Sequence, residues 1–236
     1  MHRFLLRWFR DPKAFRRQMA DNDAIISGSA ALQFLDRAHY PDSDLDVLFT
    51  GAGMDWPTDT KCYDKLRNVG HHLVAAEGYT QYVAPGTTPI DWARTTGKEL
   101  WLGYFHRTRE PSTHAKHEIT AGYSMLFDVF EFRRGAERVQ LVMYRRSALE
   151  NVSRFHSTAV MNFVAWNRAY SLFPAYTFGR RVSVVNRAPD ANTAEVMRKY
   201  QNRGFRFVWK KAPHDRIVCP ENDVCPLPPV SKIGYH

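Results

Sequence analysis

The chain has 236 residues, of which 44% are hydrophobic and 14% aromatic, a composition typical of a folded protein rather than a disordered one. No stretch is long and apolar enough to cross a membrane, and the N-terminus is too charged for a signal peptide, so we expect an intracellular protein, cytoplasmic or nuclear. The net charge of +9 favours nucleotides or nucleic acids as partners, although a basic surface can equally serve solubility alone.

The first third of the chain alternates predicted helices and strands. We expect an amphipathic helix over about residues 3–20, a short strand at Ala24–Ile26, and then a Ser-Gly-Ser turn that leads into a brief helix. An acidic strand follows and ends near Phe49. The stretch 58–79 is predicted to be a helix that ends near Gly78, because its apolar residues recur at helical spacing.

In the rest of the chain, the predicted strands come before the predicted helices. We expect strands over 100–107 and 122–134, with a Gly-Ala turn joining the second to a strand over 137–144 as a hairpin. A short helix over 147–155 and a helix over 192–204 follow, and an irregular Pro-rich tail begins at about residue 213. Short strands mixed with helices predict one α+β domain over residues 1–236.

The acidic strand and the preceding turn are the candidate site. Asp42, Asp44 and Asp46 alternate, so on an extended strand they share one face and repel each other unless cations hold them. Magnesium prefers such carboxylates together with phosphate oxygens. Gly28 and Ser29 open a helix, whose N-terminus favours anions. Each feature alone is more often structural, as a helix cap or as a solvated strand edge.

The two features in this order resemble the signature of the nucleotidyltransferase superfamily of the DNA polymerase β type, and in particular a group of uncharacterised fungal proteins with that fold. The resemblance implies a mixed sheet flanked by helices. It also implies Mg²⁺- or Mn²⁺-dependent transfer of a nucleotidyl group from a nucleoside triphosphate to a hydroxyl of RNA, protein or a small molecule. In that case Gly28 and Ser29 hold the triphosphate, and Asp44 and Asp46 hold the metal.

The sequence departs from that family at one position. Active members carry a third carboxylate on a neighbouring strand, and the matching residue here is Gln140, which is neutral, a poor magnesium ligand and no general base. If Gly135 and Ala136 form the hairpin turn, Glu131 lies directly across from Gln140 on the same face. Glu131 can then supply the missing charge, or it can simply pair with an arginine at the surface.

A basic helix near the C-terminus is the second candidate for nucleotide binding. Lys199 and Arg203 are four residues apart and share a helix face, with Tyr200 and Phe205 nearby. Cations beside aromatic rings suit a phosphate chain and a stacked base, so we expect Lys199 and Arg203 to bind nucleotide or RNA. The alternative is a solvated helix face with both aromatic residues in the core.

Three functions therefore stay open. The first is an enzyme whose catalytic residues are Asp44, Asp46 and Glu131. The second is a catalytically degenerate protein of the same fold that binds nucleotide or RNA without turnover. The third is a plain RNA-binding module, whose binding would fall steeply with salt and would not respond to magnesium.

Overall fold

The computed structural model describes residues 1–51, 60–109, 126–186 and 191–209. The chain divides into two compact units. The first comprises Met1–Arg154 and Val160–Leu172, and the second comprises Phe155–Ala159 and the chain from Phe173 onward. The single domain over 1–236 stays a prediction, and the tail predicted from residue 213 lies outside the described residues. No described helix combines the length and the apolar character needed to span a bilayer.

A seven-stranded mixed sheet forms the centre of the first unit, which confirms the α+β class. Its strands are β1 (Ile25–Ser27), β2 (Leu45–Thr50), β3 (Thr80–Tyr82), β4 (Leu126–Arg134), β5 (Glu137–Tyr144), β6 (Asn162–Val164) and β7 (Ala169–Ser171). They are arranged in the order β3-β4-β5-β2-β1-β6-β7. The β2–β5 pair is parallel, and the other neighbours are antiparallel. The two central strands are therefore adjacent in space although they are far apart in the chain.

The helices of this unit are α1 (His2–Leu5), α2 (Pro12–Asp21), α3 (Gly28–Asp36), α4 (Lys61–Ala75), α5 (Gly97–Arg109) and α6 (Ala148–Ser153). The single helix predicted over 3–20 is broken in two, because Asp11 accepts hydrogen bonds from the amides of Lys13 and Ala14 and starts a new helix at Pro12. Leu5, Trp8 and Phe9 before this break are buried, as expected of an inward face, whereas Leu6 is exposed.

The strand predicted over 100–107 is wrong, since this stretch lies within α5. Its aromatic and apolar residues favour a strand by composition. A capping box at the start of α5 favours the helix instead. Thr96 donates its backbone amide to Glu99 Oε2 at 2.8 Å, and Glu99 donates its amide to Thr96 Oγ1 at 3.2 Å.

One face of the sheet packs against the helices and forms the main core. On β2 this face carries Leu45, Val47 and Phe49, all buried, and β4 and β5 contribute alternate residues in the same way. The helices and the connection between α1 and α2 cover this face with large side chains, among them Trp8, Phe9, Phe15, Tyr63, Leu66 and Leu73. Because side chains alternate along a strand, the intervening residues point to the opposite face. That opposite face carries the polar residues of the candidate site.

The second unit is built on a strand-helix-strand segment. Its elements are β8 (Val182–Val185), α7 (Ala191–Gln201) and β9 (Arg206–Trp209), and β8 and β9 pair in parallel. The helix begins at Ala191, one residue before its predicted start, and ends at Gln201, three residues before its predicted end at Gly204. Gly204 has a left-handed φ of 85°.

Candidate functional site

The turn between β1 and α3 brings a glycine and the amide end of a helix to the polar face of the sheet. Gly28 adopts a left-handed φ of 65°, and Ser29 is almost fully buried in the first turn of α3. Ser27 occupies the cap position, but its hydroxyl donates to the backbone oxygen of Asn162 at 2.6 Å and does not cap the helix. Ser27 therefore leaves the amides at the start of α3 to other partners, and such a helix end suits an anion.

Asp46 lies against this turn. The antiparallel register pairs Ser27 with Asp46, which places the carboxylate beside Gly28. A Cβ added to Gly28 would overlap Oδ2 of Asp46 and would also come within 3.4 Å of its Cγ. The predicted phosphate turn and the predicted metal ligand are thus in direct proximity, and only glycine leaves space between them.

Asp44 lies two residues before Asp46, just ahead of β2, and it is held by an arginine. Arg138 Nε lies 2.7 Å from Asp44 Oδ1, and the exposed fractions of the two side chains are 44% and 26%. The parallel register pairs Leu45 with Val139, so Arg138 and Asp44 are neighbours across the two strands. A guanidinium therefore neutralises one of the two predicted metal ligands.

A row of polar residues crosses the sheet from Asp46. The parallel pairing of β2 and β5 sets Gln140 opposite Asp46, and the hairpin sets Glu131 opposite Gln140. The hairpin register follows the predicted Gly135-Ala136 turn. Because adjacent strands are about 4.8 Å apart, the backbone of Glu131 is about 10 Å from that of Asp46. Gln140 thus occupies the position nearest to Asp46, and Glu131 is one strand further away.

Glu131 forms an ion pair on its own strand. Arg133 Nε donates to Glu131 Oε1 at 2.5 Å, and the same guanidinium stacks 3.4 Å above the ring centre of Tyr82. The hydrogen bond to Glu131 raises the pKa of Arg133, so the guanidinium stays charged. Pairing with an arginine was the alternative to a catalytic role, and the structure contains this pair.

The donor types are those that magnesium prefers. Asp46 supplies a carboxylate beside the turn and Asp44 supplies a second, which Arg138 holds, and magnesium commonly takes one or two carboxylates and fills its other positions with phosphate oxygens and water. Within the part of the chain that the structure describes, no three His, Cys, Asp or Glu side chains cluster as metal ligands. The third carboxylate of a two-metal site is missing at Gln140.

The basic helix belongs to the second unit. Tyr200 and Phe205 are buried, with exposed fractions of 5% and 2%, so both rings lie in the core, as the alternative expected of them. The guanidinium of Arg203 lies 5.1 Å from the ring centre of Tyr200, and the backbone oxygen of Arg203 accepts a hydrogen bond from Arg181. Nucleotide binding by Lys199 and Arg203 stays a prediction.

Arg138 is the site residue that the sequence did not reveal. It stands two positions before Gln140, so the alternation of a strand places both on one face. This signal was present in the sequence. Its significance depends on which strand lies next to β5, and the parallel neighbour β2 is about ninety residues away along the chain.

Comparison with known proteins gives little beyond this geometry. No protein-family profile matches the chain, and no curated protein matches its sequence. A solved structure titled "tRNA-processing enzyme (apo form I)" is similar with a TM-score of 0.41 and 11% identity, over 82% of this chain and 46% of that one. The chain thus spans less than half of that enzyme. Because a likeness this weak implies no activity, any functional proposal must rest on the site itself.

Proposed function

We propose that this chain is a protein of the nucleotidyltransferase type that binds a nucleoside triphosphate together with one Mg²⁺ or Mn²⁺ ion. The observation that supports this proposal is the close approach of the Gly28 turn to the Asp46 carboxylate. It places a phosphate-binding feature and a metal-binding feature side by side on one face of the sheet. A solvated strand edge would not require that approach.

Each residue of the site has a separate task in this binding. Gly28 lets the phosphate chain approach the backbone, and the amide end of α3 at Ser29 attracts its negative charge. Asp44 and Asp46 would hold the metal ion. When bound, the ion would neutralise phosphate charge and polarise the phosphoryl oxygens.

The geometry favours binding without turnover. In nucleotidyl transfer an acceptor hydroxyl attacks the α-phosphorus, pyrophosphate leaves, and the hydroxyl proton must pass to a base. Gln140 cannot accept this proton. Glu131 can, but one of its oxygens already accepts a hydrogen bond from Arg133 at 2.5 Å. The residues of the site are therefore better suited to binding phosphate than to deprotonating an acceptor.

Catalysis by Glu131 is the second candidate function. Its support is the register that sets Glu131 on the polar face, one strand beyond Gln140. A rotation of the Glu131 side chain away from Arg133 would direct its carboxylate toward the acceptor. An RNA acceptor would suit the net charge of +9.

Calorimetric titration tests the binding proposal. The four nucleoside triphosphates are titrated with and without magnesium into the wild type, the Asp44→Asn/Asp46→Asn variant and the control Asp23→Asn. Asp23 pairs with Lys65 at the surface in the first unit and lies outside the candidate site. We expect magnesium-dependent binding that the double variant loses and the control keeps. Equal binding by the double variant, or binding that magnesium does not affect, would refute the metal site.

Pyrophosphate release distinguishes turnover from binding. The wild type, Glu131→Gln and Gln140→Glu are incubated with the nucleotide that binds, magnesium and oligonucleotide or small-molecule acceptors. If binding is the function, wild type releases no pyrophosphate above background, and Gln140→Glu creates a measurable rate. Release by wild type that Glu131→Gln abolishes would instead establish the second candidate.

A further inference from the structure

Arg138 lies beside Asp44, one of the two predicted metal ligands. It projects from β5 on the same face as Gln140, and its guanidinium bonds the oxygen of Asp44 at 2.7 Å. The pair is only partly shielded, because 44% of the arginine side chain is exposed. Its position is set by the parallel register of two central strands rather than by a loop.

This ion pair opposes the binding of a bare metal ion. The carboxylate of Asp44 is neutralised by the guanidinium, and a divalent cation beside it would be repelled by the same guanidinium. A metal ion can therefore use Asp44 fully only after Arg138 has moved. A triphosphate supplies the alternative partner for the displaced arginine, because guanidinium groups bind phosphate oxygens in bidentate geometry.

We propose that Arg138 exchanges partners from Asp44 to the triphosphate when the metal ion and the nucleotide bind together. The inference rests on the function proposed above and names the residue that couples its two ligands. Arg138 thereby weakens the binding of the metal alone and contributes to phosphate affinity. No covalent bond is made or broken in this exchange.

The proposal predicts opposite effects of one substitution on the two ligands. Arg138→Gln should tighten the binding of Mn²⁺ alone about two- to fivefold, the range expected when a partly exposed ion pair no longer competes. The same variant should weaken the binding of ATP in the presence of Mn²⁺ about 10- to 100-fold, since a charged hydrogen bond to phosphate is lost. A residue that only supports the fold would not change the two affinities in opposite directions.

Mn²⁺ binding followed by electron paramagnetic resonance, with and without ATP, tests this inference. Arg138→Lys keeps the charge without the planar guanidinium and should fall between wild type and Arg138→Gln. Arg146→Gln is the control, since Arg146 forms a comparable exposed pair with Glu150. The control should match wild type in both measurements.

The outcomes separate the inference from the proposed function. If wild type binds no Mn²⁺ with ATP, both are refuted. If wild type binds both ligands, and Arg138→Gln leaves either affinity unchanged or shifts both in the same direction, the inference alone is refuted. Circular dichroism of Arg138→Lys guards against misfolding, and a folded Lys variant that matches wild type in both affinities also refutes the exchange.

Discussion

Replacing Gly28 with alanine tests the approach of the phosphate turn to Asp46. Two effects are expected to add. A φ of 65° is strained for any residue with a Cβ, which costs about 1 kcal/mol. The new methyl group would also overlap Oδ2 of Asp46 and force the carboxylate or the turn to move, at a further cost of about 1–3 kcal/mol.

Gly135→Ala is the matched control for this variant. Gly135 has a similar φ of 57°, but nothing lies within 4 Å of its added Cβ. It should therefore show the backbone penalty alone, about 1 kcal/mol, or about 2–4 °C in melting temperature for a chain of this size. Gly28→Ala should lose about two to four times as much stability.

Denaturant unfolding and nucleotide titration measure the two consequences. Gly28→Ala should also weaken magnesium-dependent ATP binding about tenfold or more, because the displaced carboxylate no longer lies beside the turn. Gly135→Ala should leave that affinity unchanged. If the two alanine variants lose equal stability and both retain wild-type affinity, the turn and Asp46 do not form one site.

Three further predictions concern the core beneath the site. Glu77→Gln should destabilise the protein by about 1.5–3 kcal/mol in urea unfolding, because the buried carboxylate accepts hydrogen bonds from Arg134 and from backbone amides. Burial lowers the pKa of His72, so the folded state favours the neutral imidazole. The resulting contribution to stability is complete above about pH 6.5 and is lost as the pH falls. The urea concentration at the unfolding midpoint should therefore decrease when the pH is lowered from about 7.5 to 5.5, and it should decrease less in His72→Gln; an equal decrease in that variant would contradict the prediction. Gly70→Ala should lower the melting temperature by about 2–10 °C, since its Cβ would overlap the ring of Trp92; an unchanged melting temperature would show that the ring moves freely.

The alternation of residues made the polar face of the sheet predictable. Leu45 between two aspartates indicated an inward position, and the short Gly135-Ala136 turn determined which residue lies opposite Gln140. Both signals are local, because a two-residue turn leaves one register for the hairpin. The same local reasoning failed for residues 100–107. The prediction followed their strand-like composition and did not use the capping box that starts the helix.

The sequence did not identify which arginines pair with the carboxylates of the site. The pair between Arg138 and Asp44 requires that two strands from distant parts of the chain become parallel neighbours. The pair between Glu131 and Arg133 requires one rotamer among several for each long side chain. Sequence pattern constrains neither requirement. The residues of the site were therefore accessible from the sequence, whereas the partners that modify them were not.

These partners bear directly on whether the site binds or transfers a nucleotide. Arg138 and Arg133 hold the carboxylates of Asp44 and Glu131, and the residue between Asp46 and Glu131 in the row is the neutral Gln140. In the proposed function, a guanidinium released from its carboxylate could bond a phosphate oxygen of the triphosphate. Two magnesium ions would have to compete with the arginines for these carboxylates. An acceptor hydroxyl would likewise have to give its proton to a carboxylate that already accepts a hydrogen bond from Arg133. The features that favour phosphate binding are thus the ones that oppose transfer.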